Sequence, residues 1–348
     1  MKEINLVCPV PHAPGSTVTL AHGSGGRLMH QLIGKIFLSA FTDPALHEAH
    51  DGASLEPCPD RLAFTTDSFV VRPIFFPGGD IGSLAVHGTA NDLAMCGAQP
   101  LYLSCGFIIE EGLSLDALAA VARSMAGAAS AIGLRIVTGD TKVVERGKGD
   151  GLYINTAGVG RIVAPHPVGP AAVRPGDSVI LSGDIGAHGA AILSVREGLK
   201  FDTALQSDAG HLWPAVRALL ETGAGVHCLR DLTRGGLGTT LIEIAETANL
   251  HIAIEEMKIP VQENVQAACE LLGFDPLYLA NEGRFTAIVP EAEAEKALEL
   301  MRSDEQGKGA VRIGTVTETP KARVTLKSRI GTTRIVDMLS GEQLPRIC

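Results

Sequence analysis

The sequence predicts a two-domain protein of the α/β class, and three observations carry that reading. The chain has 348 residues, more than the ~250–300 at which a single hydrophobic core stops growing, and roughly 150 residues per domain gives two domains. Strand-like and helix-like segments alternate through about residue 165 and alternate again beyond it. Between the two runs lies Ala164-Pro165-His166-Pro167-Val168-Gly169-Pro170, whose prolines stop any regular element. The expected division is therefore 1–165, 166–336 and a short tail, 337–348.

The first segment opens on the flexible turn His22-Gly23-Ser24-Gly25-Gly26 and runs into Leu28, Leu32, Ile33, Ile36 and Phe37 at helical spacing. Arg61 to Val71 is rich in β-branched and aromatic residues and reads as a strand, ended by Pro73 and Pro77-Gly78-Gly79. Ile81 to Cys96 reads as a helix and Leu101 to Ile109 as a strand. Leu115, Leu118, Ala122, Met125, Ala129 and Ile132 share one helical face, with Ser114 placed to cap it and Gly133 to end it. Arg135 to Asp140 reads as a buried strand leading into a turn, and Tyr153 to Val163 as a further strand. Past the prolines, Asp177 to Ser182 is a strand and Gly183 to Gly189 a Gly-rich turn opening a helix through Val195. Asp231-Leu-Thr-Arg-Gly235-Gly236 leads into a helix at 241–248, and Phe285 to Val289 is a strand. The stretch after Asp337 is too short and broken to build a core and is expected to be a mobile tail.

Composition narrows the function. A formal net charge of −10 argues against nucleic acid or an anionic membrane as the main partner. The longest apolar stretch, Leu115 to Ile136, is interrupted by Asp116, Arg123 and Arg135 and never reaches ~18 uninterrupted apolar residues, so no membrane span is expected. No secretory signal is visible at the start, which points to the cytoplasm. Seven cysteines stand at 8, 58, 96, 105, 228, 269 and 348 with no C-x-x-C pair, so neither a disulfide framework nor a structural zinc site is indicated.

The chemistry gathers at a few motifs. Asp67 in TTDS, Asp92 in the Asn91-Asp92 pair and Asp140 in Gly139-Asp140-Thr141-Lys142 stand at strand ends or helix starts. Convergent carboxylates of this kind suit Mg²⁺, a hard cation that bridges to substrate phosphates; the alternative is that each is a turn or N-cap aspartate. Lys142 adds a point charge for a phosphate oxygen, or is a solvated surface lysine. The turn at 22–26 and the Asp231-x-Thr233-Arg-Gly235-Gly236 turn can present backbone N–H groups to phosphate, although neither has P-loop spacing and either can be a plain connection. Glu282 follows a strand-like stretch, and its bland reading is an exposed loop glutamate. Cys348 places a thiol on a short arm, a suitable swinging carrier, against the alternative of a dispensable terminal cysteine.

Taken together these motifs are recognisable. The chain resembles the HypE family of carbamoyl dehydratases of nickel–iron hydrogenase maturation, within the superfamily typified by aminoimidazole ribonucleotide synthetase. The resemblance runs from Ala21-His-Gly-Ser-Gly-Gly26 through Thr65-Thr-Asp-Ser-Phe69, Phe76-Pro-Gly-Gly-Asp-Ile-Gly82, Asn91-Asp-Leu-Ala-Met95, Gly139-Asp-Thr-Lys-Val-Val144 and Asp231-Leu-Thr-Arg-Gly-Gly236 to Leu344-Pro-Arg-Ile-Cys348. The Pro-Arg-Ile-Cys ending is its most specific piece.

The resemblance implies mixed α+β sheets and a homodimer that pairs its N-terminal sheets, with ATP and Mg²⁺ near that interface. Metal ligation is then expected from Asp67, Asp92 and Asp140, which recur beside Gly or Thr at element ends, and nucleotide contacts from His22, Gly23, Ser24, Gly25, Gly26, Asn91, Asp231, Thr233, Gly235 and Gly236. Cys348 then receives a carbamoyl group from a partner carbamoyltransferase, and the S-carboxamide is dehydrated with ATP to an S-cyanide for iron on a scaffold maturation complex. Lys142 assists on the phosphoryl oxygens, and Glu282, ahead of His22, is the candidate base. Two alternatives stand beside this: a thiol carrier for which ATP is only a conformational signal, and a relative such as selenophosphate synthetase or thiamine-monophosphate kinase. Selenophosphate synthetase usually needs a Cys or selenocysteine near the N-terminal Gly-rich loop, and Cys8 is distant from it.

Overall fold

The computed structural model describes residues 15–48, 52–198, 205–221, 223, 225–319, 322–338 and 347. The strands of the first half are β1 (Leu62–Phe69), the short arms β2 (Phe75–Phe76) and β3 (Gly79–Asp80), β4 (Ala98–Glu110), β5 (Arg135–Val144) and β6 (Leu152–Ile162). Those of the second half are β7 (Ser178–Leu181), β8 (Cys228–Asp231), β9 (His251–Glu255), β10 (Phe285–Val289), β11 (Val311–Thr317), β12 (Arg323–Lys327) and β13 (Thr333–Val336). Two mixed sheets result, one in the order β1-β6-β4-β5 and one in the order β13-β12-β9-β11-β7-β10-β8. Each contains a parallel pair, β4 with β5 and β12 with β9, so the α/β class with mixed sheets holds.

The helix Ile81–Met95 lies against the first sheet and is buried along almost its whole length. Asp80 caps it, accepting from the N–H groups of Gly82 and Ser83. The helix comes close because Gly88 faces β1, where a Cβ would stand 2.8 Å from the Phe69 ring. The Leu115–Ala131 helix packs beside it, capped by Ser114 at 3.4 Å and ended by Gly133 at φ +68°, as its sequence predicts. The opposite face of the sheet exposes Leu62, Phe64 and Ile108.

The two halves share their interiors. Ile192, Ala280 and Ile347 belong to the same buried cluster as Phe76, Ile81 and Met125, while Ala94 and Met95 join Ile180, Trp213 and Phe285 in another. Each fully buried Leu or Ile contributes about 1.5–3 kcal/mol, so this junction is held by the hydrophobic effect as each half is.

Two local expectations change. β5 does not turn at Asp140 but continues to Val144, because its parallel ladder with β4 runs on from Gly139 opposite Cys105 to Val144 opposite Glu110. A bulge at Leu103/Ser104 accommodates the consecutive buried residues Ile136 and Val137. The helix expected at 241–248 begins at Gly236, since Gly235 (φ +76°) and Gly236 (φ +59°) turn the chain directly into it.

Among the described residues, no helix is long and apolar enough to cross a membrane. Cys58, Cys96, Cys105, Cys228 and Cys269 are all free thiols. Burial pushes Cys105 and Cys228 up to about 12 and Cys269 to about 11, which keeps them protonated and inert. The expected tail is described only at Asp337, Met338 and Ile347; Gly341, Pro345 and Cys348 lie outside the described residues.

Candidate active site

Strand alternation and helical spacing build the first part of the site. Thr65 and Asp67 are two apart on β1 and share a face, while Gly88, Asn91 and Asp92 share the facing stripe of the Ile81–Met95 helix. Thr65 Oγ1 donates to Asp92 Oδ2 at 2.8 Å, and Asp67 Oδ1 accepts from the Ser68 N–H at 3.0 Å. Asp92 thus sits in the last turn of a helix rather than at a helix start. Asp231 closes β8, opposite Phe285 of β10; its side chain accepts from Thr233 Oγ1 at 3.5 Å and its carbonyl from Thr240 Oγ1 at 3.2 Å.

Glu282 completes the group and is not an exposed loop residue. It is 2% exposed, and its Oε1 has no hydrogen-bond partner among the described residues. Its backbone is pinned on both sides: its N–H donates to Asp208 Oδ1 at 3.2 Å, and its carbonyl accepts from Asn91 Nδ2 at 3.4 Å. Asn91 also donates to the Gly210 carbonyl at 3.0 Å and accepts from the Leu212 N–H at 2.9 Å. The amide of Asn91 is therefore spent on the 208–212 segment and on Glu282. Asn281 ties three loops in the same way, accepting from the Gly186 N–H at 2.7 Å and donating to the carbonyls of Leu232 and Leu279.

The carboxylates raise one another's proton affinity. Burial lifts Asp67 and Asp92 above the ordinary carboxylate range, with Asp67 adding to Asp92. Asp231 is pushed up to about 7 by burial and then by Asp92. Glu282 is raised well above its ordinary value by burial, then by Asp231, Asp208, Asp67 and Asp92. Arg230 and Arg234 offset part of this at Asp92. Among the described residues, no three carboxylate, imidazole or thiol side chains close tightly enough to hold a metal ion by themselves. An ion here needs oxygens from a ligand and water besides the protein's.

A second set of motif residues lies apart. The short helix Leu20–Gly23 carries the Gly-rich turn, and His22 Nδ1 accepts from the Thr19 N–H at 3.0 Å and meets the Thr19 hydroxyl at the same distance. That ring serves as a cap. Gly23 lies against β5, where a Cβ would stand 2.9 Å from Val143. On β5 itself Lys142 Nζ reaches both oxygens of Asp140 at 2.6 Å, and this hydrogen bond holds Asp140 below the usual range. β1 and β5 are opposite edges of a four-stranded sheet. Three strand spacings of ~4.8 Å put Asp140 roughly 14 Å from Asp67 within one copy. Within one copy, therefore, Asp140 lies apart from Asp67 and Asp92, and Asp231 is the acid that stands beside them.

Three further residues escaped the sequence reading. Asp208 accepts from three backbone N–H groups, those of His188, Glu282 and Gly283. It stands in an irregular segment with no motif, and only the glycine at 283 hinted at a close approach: a Cβ there would fall 1.9 Å from the Asp208 carbonyl oxygen. His188 is fully buried, and its Nε2 is 2.7 Å from the carbonyl oxygen of Ile347. Ile347, the residue before Cys348, is itself 5% exposed.

This architecture has known counterparts. Residues 49–162 match the family model described as AIR synthase related protein, N-terminal domain, and 174–327 match its C-terminal domain. The chain is 53% identical over 334 residues to the carbamoyl dehydratase HypE of Azotobacter vinelandii, covering 95% of this chain and 97% of that protein. It matches the crystal structure of a hydrogenase maturation protein HypE in complex with ATP at a TM-score of 0.92 and 48% identity, over 95% of this chain and 100% of that one. A crystal structure of a HypE–HypF complex matches at a TM-score of 0.78 and 45% identity, over 90% of this chain and 100% of that one. With sequence and architecture agreeing over nearly its whole length, the chain belongs to the HypE family of carbamoyl dehydratases, within the AIR synthase related proteins.

Proposed function

We propose that this protein dehydrates an S-carboxamide on Cys348 to an S-cyanide with ATP, supplying cyanide for the iron of a nickel–iron hydrogenase. The observation that carries this is the seat of Ile347. It places the residue before Cys348 at His188, whose backbone N–H shares Asp208 Oδ1 with the N–H of Glu282.

An amide oxygen is a poor leaving group. Its attack on the γ-phosphorus of ATP releases ADP and, with loss of one N–H proton to solvent, gives an iminophosphate; removal of the remaining N–H proton then expels phosphate and leaves the nitrile, so that the amide oxygen departs within phosphate. Glu282 takes that proton, since its unpartnered Oε1 is buried among acids and strongly basic once ionised. The donor set fits Mg²⁺: Asp67, Asp92 and Asp231 are hard oxygen ligands, too few and too loosely placed to coordinate an ion without phosphate and water. When bound there, Mg²⁺ offsets the charge on the phosphoryl oxygens.

The two sets of motif residues support a homodimer. Asp140, Lys142 and the 22–26 turn lie on the β5 edge, Asp67 and its neighbours on the β1 edge, and the sheet face between them exposes Phe64 and Ile108. Two copies paired face to face about a two-fold axis bring the β5 set of one against the β1 set of the other, making two complete sites and covering the apolar face. On this reading residues 1–165 form the dimerising ATP unit, 166–336 the unit that supplies Asp231 and Glu282, and 337–348 the carrier arm. The partners are a carbamoyltransferase, as the HypE–HypF complex suggests, and an iron-carrying scaffold, all in the cytoplasm.

Intact mass measures the reaction directly. Incubation with the carbamoylating partner adds one carboxamide to the C-terminal peptide, and ATP with Mg²⁺ then removes one water from the same peptide. Cys348→Ala shows neither change while folding and binding ATP normally. A carboxamide that persists unchanged through ATP hydrolysis would overturn the dehydratase reading and leave a carrier.

A further inference from the structure

We infer that His188 is the positioning residue that holds the arm of Cys348 inside the protein, fixing the tail and Glu282 to one common anchor. The inference rests on the carrier role proposed for Cys348.

The imidazole is fully buried, and burial holds its pKa below the ordinary value, so the ring is neutral. A neutral ring has one N–H. Nε2 stands 2.7 Å from the Ile347 carbonyl oxygen, which can only accept, so the proton is on Nε2. Nδ1 then accepts from the Ser207 hydroxyl at 2.8 Å, and Ser207 Oγ in turn accepts from the Ala209 N–H at 3.0 Å. The partners on both sides therefore select a single tautomer with its donor aimed at the tail.

The seat is built from both halves of the chain. Phe76 packs edge-on to the imidazole at 5.5 Å, and the Ser207 N–H donates to the Pro77 carbonyl at 2.8 Å. That approach requires Gly78, where a Cβ would fall 2.8 Å from the Ser207 backbone. The Ile347 side chain is buried in the cluster that includes Phe76, Ile81, Ile192 and Ala280. One hydrogen bond and one buried apolar side chain thus seat Ile347. Asp208 Oδ1 accepts from the backbone N–H of His188 at 3.1 Å and that of Glu282 at 3.2 Å. The seat of Ile347 and the place of the base are therefore tied to the same carboxylate.

The test uses the full-length protein and reads the accessibility of Cys348. Alkylation by iodoacetamide is followed by the mass of the C-terminal peptide, with ATP binding and melting temperature measured on the same samples. His188→Ala and, separately, Ile347→Gly are expected to speed alkylation by about tenfold or more with ATP affinity unchanged. His188→Gln, which keeps an N–H near Nε2, is expected to return most of the protection. Single-turnover loss of water from the carboxamide falls in the same order. Wild-type alkylation in a folded His188→Ala protein overturns the inference; if that variant does not fold, wild-type alkylation in Ile347→Gly overturns it. Alkylation reports on the seat even if Cys348 carries no group, so failure of the carrier role is distinguished by Cys348→Ala alone.

Discussion

Thr65 donates its hydroxyl to Asp92 at 2.8 Å, tying the middle of β1 to the last turn of the Ile81–Met95 helix and setting Asp67 and Asp92 on one seam. Asp67→Asn, Asp92→Asn and Asp231→Asn are each expected to lower ATP turnover by at least tenfold, about 1.4 kcal/mol of transition-state stabilisation. Steady-state phosphate release measures it, and normal rates in all three variants would remove the proposed ATP site.

Because Asp67 and Lys142 stand on opposite edges of one sheet, a site containing both is made by two copies. Asp67→Asn and Lys142→Ala are each expected to be nearly inactive, yet mixing them under subunit exchange regains about a quarter of wild-type activity, from one intact site in half of the dimers. No recovery in a mixture that light scattering shows to contain dimers would place each site within a single copy.

The buried acids predict a pH dependence whose sign is fixed. The carboxyl of Asp231 is pushed up to about 7 from 3.8, so between those values the folded chain keeps a proton that the unfolded chain has released. Stability from this group is greatest below the unfolded pKa, falls as the pH rises towards about 7, and is flat above it; Glu282 acts in the same direction. Melting of metal-free protein between about pH 5 and pH 7 is expected to show this fall, and Asp231→Asn to flatten it. The variant is then more stable than wild type at neutral pH although it is less active. Parallel profiles for the two proteins would show that Asp231 is not buried among like charges.

Gly236→Ala tests the turn that carries Asp231 into its helix. A Cβ there would stand 2.5 Å from the Leu279 carbonyl oxygen, at a φ of +59°. The cost expected for such backbone strain is about 1–3 kcal/mol, read as a fall in melting temperature of several degrees. An unchanged melting temperature would mean that the turn relaxes freely.

What the sequence determined by itself is what depends on near neighbours along the chain. Period, caps and glycines located the Leu115–Ala131 helix between Ser114 and Gly133, the strand Phe285–Val289, and the Asp67, Asp92 and Asp231 motifs, because these signals act within a few residues. The turn read at Asp140 failed because its Gly-Asp signal was outweighed by a ladder to β4, a partner some thirty residues earlier in the chain. Tertiary structure alone decided which acids meet. Strand order β1-β6-β4-β5 sends Asp140 to the far edge, and packing of the Ile81–Met95 helix against β8 brings Asp231 to Asp92 instead. It also buried Glu282, gave Asp208 three backbone N–H groups to accept, and set His188 against Ile347 across 159 residues of sequence. Burial and contact over such separations follow from how sheets and helices stack, and no local pattern of side chains records them.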